Sequence, residues 1–276
     1  MRYSVIFSAA ALLTSVYAAT PEKIDGMTLV WSDDFSGSGD FDKGKWSYYK
    51  GAITNNEQET YPQSGDYCKL SGKGSLLITP TKTGDSWASC RIETIKAWAP
   101  PKGGKIQFAS RFKLAGKGQN LQGIWPAFWA LGDSMRHGTP WPTCGEIDTF
   151  EAVNGLEMGH GTLHCGNTCK GFEGLGQGTP YTLDEFHTWS HVVDNTSPDW
   201  KQQSITWYMD GKPYHTIHGS DLNNQDDAVN TMQKAFYMTL NVAVGGAWPG
   251  PASPTTLSGP GAGMEIQYVA VYQSGI

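Results

Sequence analysis

Residues 145–151 read Gly-Glu-Ile-Asp-Thr-Phe-Glu. The run carries three carboxylates, on Glu146, Asp148 and Glu151, and the residues between them are apolar or β-branched. Asp and Glu are depleted in the interiors of strands, so a solvent-exposed strand face explains this run poorly. We therefore interpret it as a strand that carries acid, base and nucleophile chemistry.

The spacing of the three acids has a structural consequence. Residues i and i+2 share a strand face, so Glu146 and Asp148 point the same way, whereas Glu151 points to the opposite face of a regular strand. A β-bulge at Thr149-Phe150 would absorb one residue and return Glu151 to the shared face. The carboxyl groups of the two glutamates are then expected roughly 5–6 Å apart, the spacing of retaining rather than inverting glycosidases.

The rest of the chain has almost no helical periodicity, and short apolar or alternating runs recur between Gly, Pro, Asn and Asp. Strands are predicted at residues 27–32, 75–80, 91–96, 105–113, 125–131, 146–151, 158–164, 187–193, 204–209, 212–217, 235–242 and 264–272. Asp210-Gly211 predicts a two-residue hairpin, and residues 222–234 are expected to form a short helix. The predicted fold class is all-β, a two-sheet antiparallel β-sandwich of the concanavalin-like jelly-roll type with a concave substrate cleft.

Charge and the first residues limit the class of protein. The chain has 20 Lys+Arg against 26 Asp+Glu, a net charge of −6, without basic clusters, which argues against nucleic acid and membranes as partners. Residues 1–19 are typical of a secretory signal peptide, and their apolar run is too short to span about 30 Å of hydrocarbon. We expect residues 20–276 to form one catalytic domain that is secreted, extracellular and monomeric.

The five cysteines are expected in an oxidising compartment, and their odd number leaves at least one unpaired within the chain. Cys165 and Cys169 enclose a short loop and are a candidate pair, as are Cys68 and Cys90 on segments that would be neighbouring strands. Cys144, beside the carboxylate run, is then the free thiol. No Cys-x-x-Cys or clustered Cys/His spacing supports a metal site instead.

Several ordered motifs resemble glycoside hydrolase family 16. Residues 146–151 are similar to its E-x-D-x-x-E motif, and the two residues between Asp148 and Glu151 resemble the laminarinase branch rather than the lichenase branch. Five further segments resemble the opening strand, the Asn-Asn-Glu loop, the W-P-A-F-W strand, the N-x-A-V-G-G-x-W-P-G loop and the closing strand of the family: residues 31–35, 55–59, 125–129, 241–250 and 264–272. The resemblance covers nearly the whole mature chain.

The resemblance implies a secreted, fungal-type, laminarinase-like endo-β-1,3(4)-glucanase. Such an enzyme cleaves β-1,3- or mixed β-1,3/1,4-glucans with retention, by double displacement. Glu146 would be the nucleophile, Asp148 the assisting acid and Glu151 the acid/base. His164 occupies the position where the family often has a His near the acid/base, although a structural role for it stays open.

The resemblance also implies sugar contacts, on Asn56, Arg91, Trp125, Trp129 and Trp248. Trp faces stack on the apolar faces of sugar rings, but core packing is the alternative for each Trp, and an acid partner is the alternative for Arg91. No cofactor is required. Some family members bind Ca²⁺ on the convex face, and Glu265 lies at about that position, where Asp is more usual.

Two other functions stay open at this point. The same machinery would also serve another β-glycan such as β-1,3-galactan, or transglycosylation, because the acceptor depends on the cleft. A non-catalytic carbohydrate-binding jelly roll would need the Trp residues but not three aligned acids. In every case the expected partner is a polysaccharide or oligosaccharide.

Overall fold

The computed structural model describes residues 19–166 and 168–275. The expected signal peptide, residues 1–19, lies outside the described residues except for Ala19. The strands are β1 Thr28–Asp33, β2 Ser38–Gly39, β3 Trp46–Tyr48, β4 Glu59–Thr60, β5 Cys68–Ser71, β6 Leu76–Ile78, β7 Thr81–Thr83, β8 Ser86–Ala88, β9 Arg91–Thr94, β10 Lys105–Leu114, β11 Ile124–Gly132, β12 Glu146–Glu151, β13 Met158–His164, β14 Leu175–Pro180, β15 His187–Asp194, β16 Ser204–Met209, β17 Lys212–His218, β18 Phe236–Val244 and β19 Met264–Gln273.

Two large antiparallel sheets face each other. The outer sheet has the strand order β17-β16-β15-β10-β19-β6-β5-β2, with β1 also paired to β19. The cleft sheet has the order β14-β13-β12-β11-β18-β9-β3, so the carboxylate strand β12 lies near its middle. A small third sheet, β4-β8-β7, contains a parallel pair, β4 with β8. The predicted all-β sandwich is confirmed.

Aromatic side chains fill the space between the two sheets. Phe150 of β12 is fully buried, and its ring centroid lies 4.5 Å from that of Trp189 on β15 and 5.0 Å from that of Phe112 on β10. Rings at such spacing add about 0.5–1.5 kcal/mol per pair beyond the burial of their surface. The inward face of β12 is therefore fixed against the outer sheet, which leaves its other face for the cleft.

All twelve predicted strands are present, with ends that differ by a few residues. Asp210 and Gly211 both have positive φ, 48° and 74°, as the predicted two-residue hairpin between β16 and β17 requires. Seven strands were not predicted, namely β14 and six short strands. The sequence of β14, Leu-Gly-Gln-Gly-Thr-Pro, is poor in strand-forming residues, and pairing with β13 creates this strand.

In the part of the chain that the structure describes, helical structure is confined to short segments: α1 Gly219–Leu222, α2 Gln225–Met232, and 3-10 turns at Asp133–His137, Gly171–Glu173, Trp200–Gln202 and Pro260–Ala262. Helix α2 confirms the predicted short helix, and its N-terminal amides are capped by the Asn224 side chain. Within residues 19–166 and 168–275, no helix is long and apolar enough to cross a bilayer.

The predicted cysteine pairs and the free Cys144 are confirmed, but the segments of Cys68 and Cys90 are not neighbouring strands of one sheet. Cys68 of β5 is bonded to Cys90, which directly precedes β9, so this disulfide joins the outer sheet to the cleft sheet. Cys165 is bonded to Cys169, and Cys144 is free and buried. Burial, with a contribution from the charge of Glu146, raises the pKa of the Cys144 thiol to about 11, so this residue packs as a neutral side chain and is not a thiolate nucleophile.

Candidate active site

The predicted bulge in β12 is present. Along β11, Asp148 pairs with Trp129 and Phe150 pairs with Phe128, which leaves Thr149 as the extra residue. The register with β13 shifts between Asp148 and the end of the strand as well. The distortion therefore lies at Thr149-Phe150, where the spacing of the acids requires it.

The bulge turns two consecutive side chains toward the core. Thr149 and Phe150 are both fully buried, whereas Glu146, Asp148 and Glu151 all line the cleft. Glu146 pairs with Leu131 and Glu151 pairs with Ala127, four positions away along β11. The two glutamates thus share one face at the expected separation of four strand steps.

Two contacts from the outer sheet hold the bulge. The indole Nε1 of Trp207 on β16 donates a hydrogen bond of 2.7 Å to the backbone oxygen of Asp148. His191 of β15 lies with Nδ1 2.7 Å from the hydroxyl of Thr149. Gly145 directly precedes β12 and has a φ of +82°. A residue with a side chain would be strained in this backbone conformation.

His164 lies beside the predicted nucleophile. It pairs with Glu146 in the register of β12 and β13, and its Nε2 is 3.2 Å from Oδ2 of Asp148 and 3.9 Å from Oε1 of Glu146. Its Nδ1 donates to the backbone oxygen of Gly171 at 3.0 Å. His160 is the register partner of Glu151, and the charge of His164 also acts on Glu151.

The pKa values of His164 and of the acids around it are shifted by burial and by one another's charges. Burial disfavours the imidazolium of His164, but the hydrogen bond and charge of Asp148, with the charge of Glu146, raise its pKa to about 10. Burial first, and the charge of Asp148 second, raise the pKa of Glu146 to about 8 and that of Glu151 well above its usual range. Because these groups interact, their protons belong to the cluster as a whole.

The predicted sugar-binding residues all line the same cleft: Asn56, Arg91, Trp125, Trp129 and Trp248. The indole Nε1 of Trp125 donates to Oε1 of Glu151 at 2.9 Å, and that of Trp129 donates to Oδ1 of Asn241 at 2.8 Å. Trp248 is 43% exposed, so core packing does not account for it.

Arg91 lies in the cleft, where a sugar contact was predicted, and it also has the acid partner that was the alternative. Its guanidinium lies 3.7 Å from the ring centroid of Tyr49 and 4.5 Å from that of Trp129, and its Nη2 is paired with Glu93 at 2.9 Å. The acid partner is therefore real, and it fixes the Arg91 side chain within the cleft. The role of Arg91 toward sugar stays a prediction.

Residues that the sequence analysis missed also line the cleft, among them Tyr49, Glu57, Glu93, Trp141, His160, Phe172 and His215. Strand alternation indicates His160, because it shares a face of β13 with His164. Glu57 is the acid of the Asn-Asn-Glu loop motif, of which only Asn56 was assigned a sugar contact from the sequence. It pairs with Gly245 of the Trp248-containing loop, and burial with the neighbouring charge of Glu59 raises its pKa to about 8.

The surroundings of Glu265 give no support to a Ca²⁺ site. One carboxylate oxygen accepts a hydrogen bond from Ser75 at 2.9 Å, and the other pairs with Lys113 at 3.0 Å. A cation would have to displace the lysine. Among the described residues, the grouping with metal-ligand geometry is instead Glu146, Asp148 and His164, where the short contact of His164 is with Asp148 itself.

The cleft crosses the cleft sheet from Tyr49, directly after the edge strand β3, to Gly176 on the other edge strand, β14. Its volume is about 1690 Å³, above the range of about 300–1,000 Å³ that is usual for small-molecule pockets. An open groove of this size fits a segment of a polymer. The family model described as "XgeA-like, catalytic GH16 domain" matches residues 34–235.

The chain belongs to glycoside hydrolase family 16. This family 16 chain is 28% identical to "Glucan endo-1,3-beta-glucosidase A1" of Niallia circulans over 94% of its own length, and it spans 40% of that protein. It is also 28% identical to "Beta-glucanase" of Rhodothermus marinus, over 91% of this chain and 87% of the relative.

Solved structures agree with the family 16 assignment. The endo-1,3-beta-glucanase of Streptomyces sioyaensis superposes with a TM-score of 0.87 at 30% sequence identity, over 94% of this chain and 100% of that one. The resemblance on which the sequence analysis rested is confirmed.

Proposed function

We propose that this protein is a retaining endo-glycosidase that cleaves β-1,3- or mixed β-1,3/1,4-glucans by double displacement. The observation that carries the proposal is the bulge in β12, which brings Glu146 and Glu151 onto one face of the cleft. Two carboxyl groups on one face, about 5–5.5 Å apart, are the machinery of a retaining glycosidase. The names of the relatives, both of them glucan hydrolases, support the substrate class.

In the first step, Glu146 reacts in the form of the enzyme in which the proton shared by the acid cluster lies on Glu151. The carboxylate of Glu146 then attacks the anomeric carbon and forms a glycosyl ester. The protonated carboxyl of Glu151 gives its proton to the glycosidic oxygen, so the leaving chain departs as an alcohol. Since the indole of Trp125 donates to Oε1 of Glu151, the proton of this carboxyl resides on Oε2. The raised pKa of Glu151 keeps that proton in place at neutral pH.

In the second step, the ionised Glu151 removes a proton from water, and the water oxygen attacks the anomeric carbon. The ester to Glu146 breaks, and the configuration at the anomeric carbon is restored. The imidazolium of His164 near Glu146 stabilises its carboxylate as nucleophile and as leaving group. Asp148 holds this imidazolium in position and adds the negative charge that keeps Glu151 protonated.

Endo-cleavage follows from the extent of the cleft. Residues from both margins of the cleft sheet line it, and seven strands at about 4.8 Å spacing measure roughly 30 Å across. The cleft residues therefore accommodate glucan on both sides of the reacting sugar. A carbohydrate-binding domain without catalysis would not need a buried acid cluster beside the aromatic residues, because burying several carboxyl groups costs stability.

Hydrolysis of laminarin, lichenan, cellulose and β-1,3-galactan, measured by reducing ends, tests the substrate class. We expect activity on laminarin and lichenan, and NMR should show the β-anomer first. Glu146→Gln should abolish hydrolysis and keep oligosaccharide binding, whereas the matched control Glu185→Gln, at an exposed position, should leave activity unchanged. Activity confined to cellulose or galactan, or an initial α-anomer, would contradict the proposal.

We further propose that the protein is secreted after removal of residues 1–19 and acts as a monomer without a cofactor. Two disulfides support the oxidising compartment, since such bonds are rare in the cytosol. N-terminal sequencing of the mature protein should begin near residue 20, and light scattering should give the mass of one chain. An unprocessed N-terminus or a larger mass would contradict the respective proposal.

A further inference from the structure

The edge strand β14 presents almost bare backbone to the cleft. Gly176 pairs with Thr162, whose side chain lines the cleft, and Gly174 precedes the strand on the same side. A Cβ atom at Gly176 would lie 2.9 Å from the Thr162 hydroxyl, and one at Gly174 would lie 2.5 Å from the Thr162 methyl. Side chains are therefore excluded at both positions, and the floor of the cleft is flat at this end.

An aromatic side chain stands beside this floor. Phe172 is 78% exposed, the largest exposed fraction among the large hydrophobic residues that the structure describes, and it lines the cleft. Its ring centroid lies 4.9 Å from that of Trp141, which also lines the cleft. An exposed aromatic ring that lines a cleft of this kind offers its face for stacking on a sugar ring.

The segment that carries Phe172 is held in place from two sides. The disulfide Cys165–Cys169 closes the preceding loop. The backbone oxygen of Gly171, directly before Phe172, accepts a hydrogen bond from His164, which belongs to the acid cluster. The exposed ring is thus fixed relative to the reacting centre. Because the ring is already ordered in the free protein, little conformational entropy is lost when a sugar binds to it.

From these observations we propose that Phe172, beside the glycine floor of β14, forms an outer glucan-binding subsite. Trp141 joins this subsite to the reacting centre, because its ring centroid lies 4.9 Å from that of Phe172 and 5.7 Å from that of His164. This inference rests on the proposed function, since a glucan that crosses β12 leaves the cleft over β13 and β14. The floor lies two strands, about 10 Å, from β12, so the bound sugar is beyond the reacting one. The apolar face of a pyranose ring stacks on Phe172, and the charged groups of Lys170 and Glu173 line the same margin for its hydroxyls.

The test measures binding of β-1,3-glucan oligosaccharides of increasing length by calorimetry in the inactive Glu146→Gln protein. Adding Phe172→Ala should weaken binding of long oligosaccharides about 3–10-fold, and the ratio of long-chain to short-chain affinity should fall. Phe172→Tyr should restore that ratio. The matched control is Phe186→Ala, which removes a ring that packs on Lys113 and Arg111 outside the cleft.

Two results would overturn the subsite. One is an unchanged dependence of affinity on chain length in Phe172→Ala. The other is an equal loss for all lengths together with a shifted pH profile in the otherwise intact enzyme, which would mean that Phe172 only supports His164. Failure of the proposed function looks different: the intact protein would cleave no β-glucan, and the Glu146→Gln protein would bind none.

Discussion

The hydroxyl of Thr149 and Nδ1 of His191 lie 2.7 Å apart, both fully buried, and join the bulge of the carboxylate strand to the outer sheet. Thr149 is the one residue that the bulge adds between Asp148 and Phe150. The contact therefore fixes the residue on which the shared face of Glu146 and Glu151 depends. His191 touches no substrate and is a positioning residue.

Removal of this contact should affect catalysis as well as stability. Thr149→Val keeps the shape of the side chain but leaves Nδ1 of His191 without its partner. This loss should lower the free energy of unfolding by about 1–3 kcal/mol. A displaced Glu151 should also lower kcat about 10–100-fold with little change in KM. Urea denaturation and steady-state kinetics measure both effects.

Two variants complete that test. Thr149→Ser keeps the hydroxyl and should restore kcat. Thr206→Val removes a surface hydroxyl that contacts Thr216 at 3.1 Å, and it should change neither quantity appreciably. If Thr149→Val lost stability but kept the wild-type kcat, the contact would be structural only.

Acid should weaken the fold through His191. Burial lowers the pKa of His191 to about 3, so the folded state keeps it neutral while the unfolded state takes up a proton below about 6.5. The unfolded state binds more protons in this window, so stability falls as the pH falls, by about 1.4 kcal/mol per pH unit for this one group. The His191→Asn variant does not lose stability by this route, because asparagine takes up no proton in this pH range.

The measurement is the difference in unfolding free energy between wild type and His191→Asn at a series of pH values. That difference should shrink as the pH falls from about 6.5 toward the lowered pKa of His191, near 3. A constant difference across this window would show that His191 is not held neutral in the folded protein.

His164 should set the acidic limb of the pH profile. Its imidazolium lies 3.9 Å from Glu146 and favours the carboxylate. In His164→Gln the positive charge is lost, so the pKa of Glu146 rises and the acidic limb of kcat/KM moves to higher pH by about one unit or more. His137→Gln, at an exposed position outside the cleft, serves as the control. A limb that stays in place would exclude this electrostatic role.

Glu151 should be separable from Glu146 by chemical rescue. Glu151→Ala should lower kcat on glucan by about 10²–10⁴-fold. The same variant should still cleave an aryl glucoside well, because the aryl oxide leaves without being protonated. Azide should then speed turnover and give the β-glycosyl azide, whereas Glu146→Ala with azide should give the α-product. If both variants gave the same anomer, the two roles would be misassigned.

The two disulfides should differ in their contribution to stability. Loss of Cys68–Cys90, which closes a 22-residue separation, should cost about 3 kcal/mol. Loss of Cys165–Cys169, with a separation of 4, should cost about 2 kcal/mol, because less chain entropy is constrained. Urea denaturation of the paired Cys→Ser variants measures both, and equal losses would contradict the entropic account.

Local patterns explain why much of the fold was predictable. Alternation gave the long strands, and the odd spacing from Asp148 to Glu151 required a bulge, because side chains on a strand repeat every second residue. Local patterns did not predict β14, whose glycines have little intrinsic strand preference and adopt a strand only through pairing with β13. The same limit applied to His164, whose register partner follows from the pairing of β12 with β13.

The sequence by itself determined that three acids share one face once the strand is bulged, which family of catalysts they resemble, and that Cys165 and Cys169 are close enough in the chain to pair. These are properties of short segments, in which covalent spacing restricts what the side chains can do. Only the tertiary structure decided that His191 and Trp207 hold the bulge, that His164 lies beside Glu146 and Asp148, and that Phe172 stands beside a glycine floor. Those relationships join residues far apart in the chain, and only the packing of two sheets brings them together.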